Sequence, residues 1–197
     1  MRPYFEYIKG ISFKDETLKM LSSYVKDNLS LFERSGSKPT KKYGKYDWNW
    51  FLPRQYIPYH LMDEIGKKFK IPVTYEILGQ SEHTNGKIHV DRVIEGLPPR
   101  ITLINFPIYP LDPSLFGPTR FWKLVDGTYN DYDNAKFEMQ AEVDYKKQLP
   151  VIFNLQEYHN AVNLRNDHRF NAQFTTNLPF DEIIELYDNN KLFDQVN

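Results

Sequence analysis

The stretch Gly86–Val93, GKIHVDRV, places an imidazole and a carboxylate two residues apart in an apolar run. In an extended chain successive side chains alternate between faces, so His89 and Asp91 share one. An imidazole and a carboxylate on one face are ligands for a divalent metal, and such a site needs at least a third. The chain has five histidines. His60 falls in a helical stretch, and His83 in the polar loop QSEHTNG. His159 is better placed, in the late strand-like run of NLQEYHNAVN that follows a run opened by Pro150. Arg169 comes ten residues later and opens the next run, with NLRND as a tight turn that would make the two strands neighbours. Its planar guanidinium suits a carboxylate. Plainer readings stand beside these. The His89–Asp91 pair could be accidental on an exposed strand, His159 a half-buried strand cap and Arg169 one arm of a surface salt bridge. Arg165 and His168 read as solvent-facing turn residues.

These side chains need a β framework, and the chain has the texture of one. From Ile71 onward come short β-branched or aromatic runs, 71–80, 87–93, 100–109, 119–125, 136–147, 150–156, 158–163 and 169–176. They are separated by Pro, Gly, Asn and Asp, which predicts a sandwich, barrel or jelly roll. Before them, Leu18, Leu21, Val25 and Leu29 recur at helical spacing and predict a helix over 15–34, with acids in its first turn. A second helix is predicted over 57–69, with Pro58 near its start. A third is predicted within 178–193. The expected organisation is a single domain over 1–197, with a helical and loop region over 1–70, a jelly-roll core over 71–176 and a C-terminal helix over 177–197.

Hydrophobic residues make up 41% of the 197 and aromatic residues 16%, enough for a proper core. The absence of cysteine excludes disulfides, zinc fingers, iron–sulfur clusters and thiol nucleophiles, so any metal must be held by His and carboxylates. A net charge of -1 gives no general nucleic-acid binding. The local basic stretch KPTKKYGKY, 38–46, reads as a solvated loop, and the aromatic stretch 45–59 as core and lid packing. The N-terminus has no apolar leader and no run reaches the roughly 20 apolar residues of a membrane span, so the expected location is the cytoplasm.

His-x-Asp at His89–Asp91, a distant His159 and Arg169 ten residues on resemble, in that order, the 2-oxoglutarate- and iron(II)-dependent oxygenases. LPPRITLINFPI, GPTRFW and PVIFNLQEYHNAVN look like that family's strand after the His-x-Asp, its Gly-x-Thr-x-Phe turn and the apolar strand leading to its second histidine. The resemblance covers 71–176 and is nearest in style to the hydroxylases of aspartyl, asparaginyl and prolyl residues. It implies a double-stranded β-helix with flanking α-helices, a jelly roll, in which His89, Asp91 and His159 hold Fe(II) at the catalytic centre. Three ligands on one face of an octahedral ion leave three positions open. The resemblance implies 2-oxoglutarate in two of them and dioxygen in the third. Oxidative decarboxylation to succinate and carbon dioxide is then coupled to hydroxylation of an unactivated carbon.

Arg169 would meet the far carboxylate of 2-oxoglutarate. Where the family often has Ser or Thr two residues on, this chain has Asn171, whose amide can donate the same hydrogen bond. Tyr75, Thr102 and Asn105 lie on strands that could line the co-substrate pocket. The implied substrate is a peptide, an amino acid or another small metabolite. Two other readings use the same residues: a cupin-type metal enzyme without 2-oxoglutarate, in which Arg169 is structural, and a non-catalytic jelly-roll binding module. Loops, not the three ligands, set the substrate, and the oligomeric state is not encoded in any of these motifs.

Overall fold

The computed structural model describes residues 4–35, 49–91, 99–112, 115–128, 135–147 and 149–194. The chain runs through β1 (Phe5–Tyr7), α1 (Asp15–Asp27), β2 (Glu33–Ser35), β3 (Asn49–Phe51), α2 (Tyr59–Gly66), β4 (Thr74–Gln80), β5 (Thr84–Asn85) and β6 (Thr102–Tyr109). It continues through β7 (Thr119–Asp126), β8 (Lys136–Glu142), β9 (Val151–Asn154), β10 (Tyr158–Asn163), β11 (Arg169–Thr176) and α3 (Phe180–Asp188).

Two antiparallel sheets result. The larger has the order β1-β9-β6-β11-β4-β3-β2, and the smaller β5-β10-β7-β8. From β4 the chain passes to the smaller sheet at β5, back at β6, across at β7 and β8, back at β9, across at β10 and back at β11. This winding between facing sheets is the double-stranded β-helix, a mainly β jelly roll with helices outside it. Helices α1, α2 and α3 pack on the outer face of the larger sheet, against β6, β4 and β9.

Strand β11 is central, and all eight of its residues are buried. Its alternate residues Phe170, Ala172 and Phe174 meet the helices, in one core with Ile104, Phe106, Leu21, Val25, Met62, Ile65 and Ile183. Fully burying Phe170 or Phe174 contributes roughly 1.5–3 kcal/mol each. The other set, Arg169, Asn171, Gln173 and Thr175, faces the space between the sheets, a run of polar groups in a buried strand. A second apolar cluster, which includes Phe121 and Phe153, fills part of that space.

Several elements differ from the sequence-based expectation. Helix α1 stops at Asp27, where the Asn28 side chain donates to the Tyr24 carbonyl at 2.8 Å. The chain then enters β2, which pairs with β3, and Leu29, the last member of the helical spacing, is exposed. The region expected to be helical and looped thus also contributes β1, β2 and β3 to the larger sheet. The expected strand over 136–147 splits into β8 and a short 3-10 turn, Tyr145–Lys147. The basic stretch 38–46 lies outside the described residues, as do Arg92 and Val93. Among the described residues, no helix is long and apolar enough to cross a membrane.

Candidate metal centre

His159 lies in β10 and pairs with Phe121 of β7, which puts both on the inner face of the smaller sheet. The alternation in GKIHVDRV predicts a strand, but His89 and Asp91 belong to no ladder strand. They lie on an extended segment tied to the jelly roll at single points. His89 and His159 form an isolated antiparallel bridge, with hydrogen bonds of 2.9 and 2.8 Å between their backbones. The Asp91 N–H donates to the Leu155 carbonyl at 3.1 Å. The same-face placement survives because the segment is extended, even without a ladder.

One ligand atom from each of His89, Asp91 and His159 lies within 4.8 Å of the others. Asp91 Oδ1 is 3.4 Å from His89 Nε2 and 3.9 Å from His159 Nε2. Each imidazole is oriented from behind. His89 Nδ1 is 2.7 Å from the Lys87 carbonyl, and His159 Nδ1 is 2.8 Å from the Glu157 carbonyl. A carbonyl only accepts, so each Nδ1 carries the proton and each Nε2 presents a lone pair to its partners.

Electrostatics keeps the His159 ring neutral and Asp91 ionised. Burial, with His89 alongside, holds the His159 ring well below the usual histidine range, to about 4. Burial pushes the Asp91 carboxyl up, but the His89 ring beside Oδ1 and the charge of Arg100 outweigh it and hold the group at about 2. The imidazoles of His89 and His159 and one carboxylate converge, and that donor set fits a divalent metal with open positions.

Arg169 is 2% exposed, with its Nη1 donating to the carbonyls of Gly117, Pro118 and Val162 at 2.7, 3.3 and 3.1 Å. Its guanidinium lies over the rings of Phe116 and Tyr145, at 4.7 and 5.6 Å from their centroids. Burial lowers its pKa, and the Tyr145 hydroxyl opposes that shift. Among the described residues no carboxylate pairs with it, and its Nε has no partner. The expected neighbouring of its strand with that of His159 is not found, because β11 belongs to the larger sheet and β10 to the smaller. Arg169 reaches across the gap instead, to the carbonyl of Val162 in β10.

The other sequence-predicted residues divide by face. Asn105 and Asn171 are inside, with Asn105 Nδ2 donating to Asn171 Oδ1 at 2.9 Å and to the Tyr145 hydroxyl at 3.2 Å. Tyr75 and Thr102 do not line this space. Tyr75 packs on Phe174 in the helix-covered core, and Thr102 donates to the Leu178 carbonyl at 2.8 Å. Arg165 and His83 are exposed turn and loop residues, and His60 is exposed on α2. His168, expected to face solvent, is half-buried and stacks on Phe170. Trp50, from the aromatic stretch, packs on the main core.

Sequence reasoning missed Arg100, Thr119, Tyr145 and Gln173, all of which border the same interior. Arg100 Nη1 is 3.4 Å from Asp91 Oδ2, and its Nη2 donates to Gln173 Oε1 at 3.2 Å. Tyr145 is fully buried, with its hydroxyl 3.0 Å from that of Thr119, and burial pushes its pKa up. Thr119 and Arg100 stand inside quoted motifs, GPTRFW and LPPRITL, but nothing local marked Tyr145 or Gln173.

No protein-family model matches the sequence, and no curated protein matches it. Among solved structures, the chain is similar to a Pseudomonas putida prolyl-4-hydroxylase, with a TM-score of 0.50 and 11% identity over 88% of this chain and 91% of that one. It is also similar to SnoN from nogalamycin biosynthesis, described as a non-heme alpha ketoglutarate dependent epimerase, with a TM-score of 0.50 and 8% identity over 88% and 78%. The chain therefore shares the double-stranded β-helix fold of these two enzymes and carries a His–Asp–His cluster.

Proposed function

We propose that this protein is an iron(II)- and 2-oxoglutarate-dependent oxygenase that hydroxylates a peptide, an amino acid or another small metabolite. The observation that carries the reading is Arg169, a guanidinium buried without a carboxylate partner among the described residues, in the same interior as the three metal-ligand side chains. A fixed cation in a desolvated interior is costly until an anion meets it. Val162, whose carbonyl Arg169 binds, is three residues from His159 along β10, roughly 10 Å at the rise of a strand. A five-carbon dicarboxylate held at one end by the metal can span that interval.

In this reading His89, Asp91 and His159 hold the metal through two Nε2 atoms and Oδ1. Their backbone and side-chain partners keep those atoms pointed inward, so binding requires little reorganisation. Fe(II), when bound, supplies dioxygen activation, which no side chain of the chain can perform. Arg169 receives the far carboxylate, with the hydroxyls of Tyr145 and Thr119 beside it. Asn105, Asn171 and Gln173 border the space between, and Phe121, beside the His159 ring, limits water there. The similar epimerase, described as alpha ketoglutarate dependent, supports the 2-oxoglutarate part of the reading, and the prolyl-4-hydroxylase supports hydroxylation.

The test is anaerobic titration of the Fe(II)-loaded protein with 2-oxoglutarate, followed by succinate release on admitting oxygen. Binding of metal without 2-oxoglutarate would replace this reading with a cupin-type metal enzyme. In that case the three carbonyls on Arg169 Nη1 would be its structural partners.

A further inference from the structure

The two carboxylate oxygens of Asp91 are divided between two neighbours. Oδ1 faces the histidines, at 3.4 and 3.9 Å, while Oδ2 is 3.4 Å from Arg100 Nη1. Arg100 is itself held in place. Its Nη2 lies 3.0 Å from Glu76 Oε2 and 3.2 Å from Gln173 Oε1, and Gln173 in turn donates to Asn105 Oδ1 at 3.4 Å. Gln156 Nε2 contacts the backbone carbonyls of both Asp91 and Arg100, at 3.4 Å each. The arginine stands on the opposite side of the carboxylate from the imidazoles, with Glu76 as its anchor.

Resting on the proposed metal site, we infer that Arg100 is a positioning residue that keeps Asp91 a one-oxygen ligand. A carboxylate can bind a metal through one oxygen or both, and the second oxygen occupies another coordination position. A chelating 2-oxo acid needs two open positions and dioxygen a third. An Asp91 free to use both oxygens would take one of them. Arg100 prevents this by engaging Oδ2 in an ion pair at 3.4 Å, and Glu76 and Gln173 hold the guanidinium in place.

The inference separates two affinities that a merely structural role would move together. Removing Arg100 takes a positive charge from beside Asp91 and frees Oδ2, so metal binding stays within threefold of wild type or tightens. Chelation by 2-oxoglutarate weakens by tenfold or more, because a position has been taken. Arg100→Lys, which keeps a donor but loses the fork to Glu76 and Gln173, falls between wild type and Arg100→Met. Glu76→Gln, which loosens the anchor and leaves the arginine, gives a smaller loss of the same kind.

The experiment titrates Fe(II) into wild type, Arg100→Met, Arg100→Lys and Glu76→Gln under anaerobic conditions. 2-Oxoglutarate is then added and followed by the metal-to-ligand charge-transfer absorption of the chelated 2-oxo acid. Co(II) absorption of the same proteins without 2-oxoglutarate reads coordination number. Retained metal binding with weakened chelation, and a Co(II) spectrum of altered intensity, is the expected result. Wild-type 2-oxoglutarate affinity in Arg100→Met, or in Arg100→Lys and Glu76→Gln should Arg100→Met not fold, overturns the inference and leaves the proposed function standing. Absence of metal or 2-oxoglutarate binding in wild type overturns the proposed function, and this inference with it.

Discussion

His89 and His159 clasp each other through their backbones. Each N–H donates to the other's carbonyl, at 2.9 and 2.8 Å, and their ring centroids stand 4.5 Å apart. The two histidines come from segments far apart in the chain, so the bridge between them sets the spacing of the metal cluster. Asp91, two residues further along the same extended segment, completes it.

If these three side chains hold one metal, replacing His89 or His159 by Ala removes a ligand with its oriented lone pair. Affinity for Mn(II) or Co(II) should fall by more than the roughly 10–100-fold cost of losing an outer-shell partner. The fold should persist, since neither histidine is a member of the two large apolar clusters. Equilibrium dialysis of the two variants checks this, and wild-type stoichiometry and affinity in both would refute the cluster.

Arg169→Ala should cost 2-oxoglutarate binding about 2–5 kcal/mol, the range for truncating one partner of a buried charge pair. Arg169→Lys keeps a charge without the fork, and should bind more weakly than wild type with metal binding intact. Arg165→Ala, in an exposed turn, should leave binding unchanged. Calorimetry on metal-loaded proteins decides, and loss of binding in Arg165→Ala with retention in Arg169→Ala reverses the assignment.

Gly117 gives a test of the same region from the backbone. A Cβ there would collide with the Val162 carbonyl oxygen, one of the three that Arg169 binds. The obstacle is backbone, so relief requires β10 to move. Gly117→Ala should destabilise the protein by about 1–3 kcal/mol and weaken 2-oxoglutarate binding. Chemical denaturation alongside calorimetry tests both, and a variant of wild-type stability would show that the strand accommodates the methyl.

The metal-free protein should lose stability as pH falls. His159 in the fold takes up a proton only near pH 4, against about 6.5 in the unfolded chain, so the unfolded state binds more protons between those values. The penalty grows from about pH 6.5 downward. Asp91, held at about 2, adds a further loss as pH drops below the usual carboxylate range. For His159 the effect is on the order of 3 kcal/mol. Denaturation curves at pH 7.5 and 4.5, for wild type and His159→Asn, check it. An equal slope in the variant would show that His159 is not the source.

The residues themselves determined much of this protein. Hydrophobic periodicity marked the helices that became α1, α2 and α3, because a helix covering a sheet needs apolar residues every three to four positions. Short β-branched runs between turn residues marked the jelly roll. The His-x-Asp, the later His and the Arg were legible because few residue types can bind a metal or a carboxylate, and an extended segment puts alternate residues on one face.

Tertiary structure alone decided which faces matter. Strands β6 and β11 are buried on both sides, so alternation along them does not tell the helix-covered face from the interior. That is why Thr102, chosen with Asn105 from β6, lies on the helix-covered side; Tyr75 of β4 lies there too, in register with Phe174. The same holds for sheet membership: a turn such as NLRND is compatible with a hairpin or with a crossing between sheets, and the packing of β11 between β4 and β6 selects the crossing. Arg100 at Asp91 and Tyr145 at Arg169 are contacts between segments remote in sequence. Local propensity carries no record of them, because they form only when folding brings those segments together and removes the water that would otherwise satisfy each group alone.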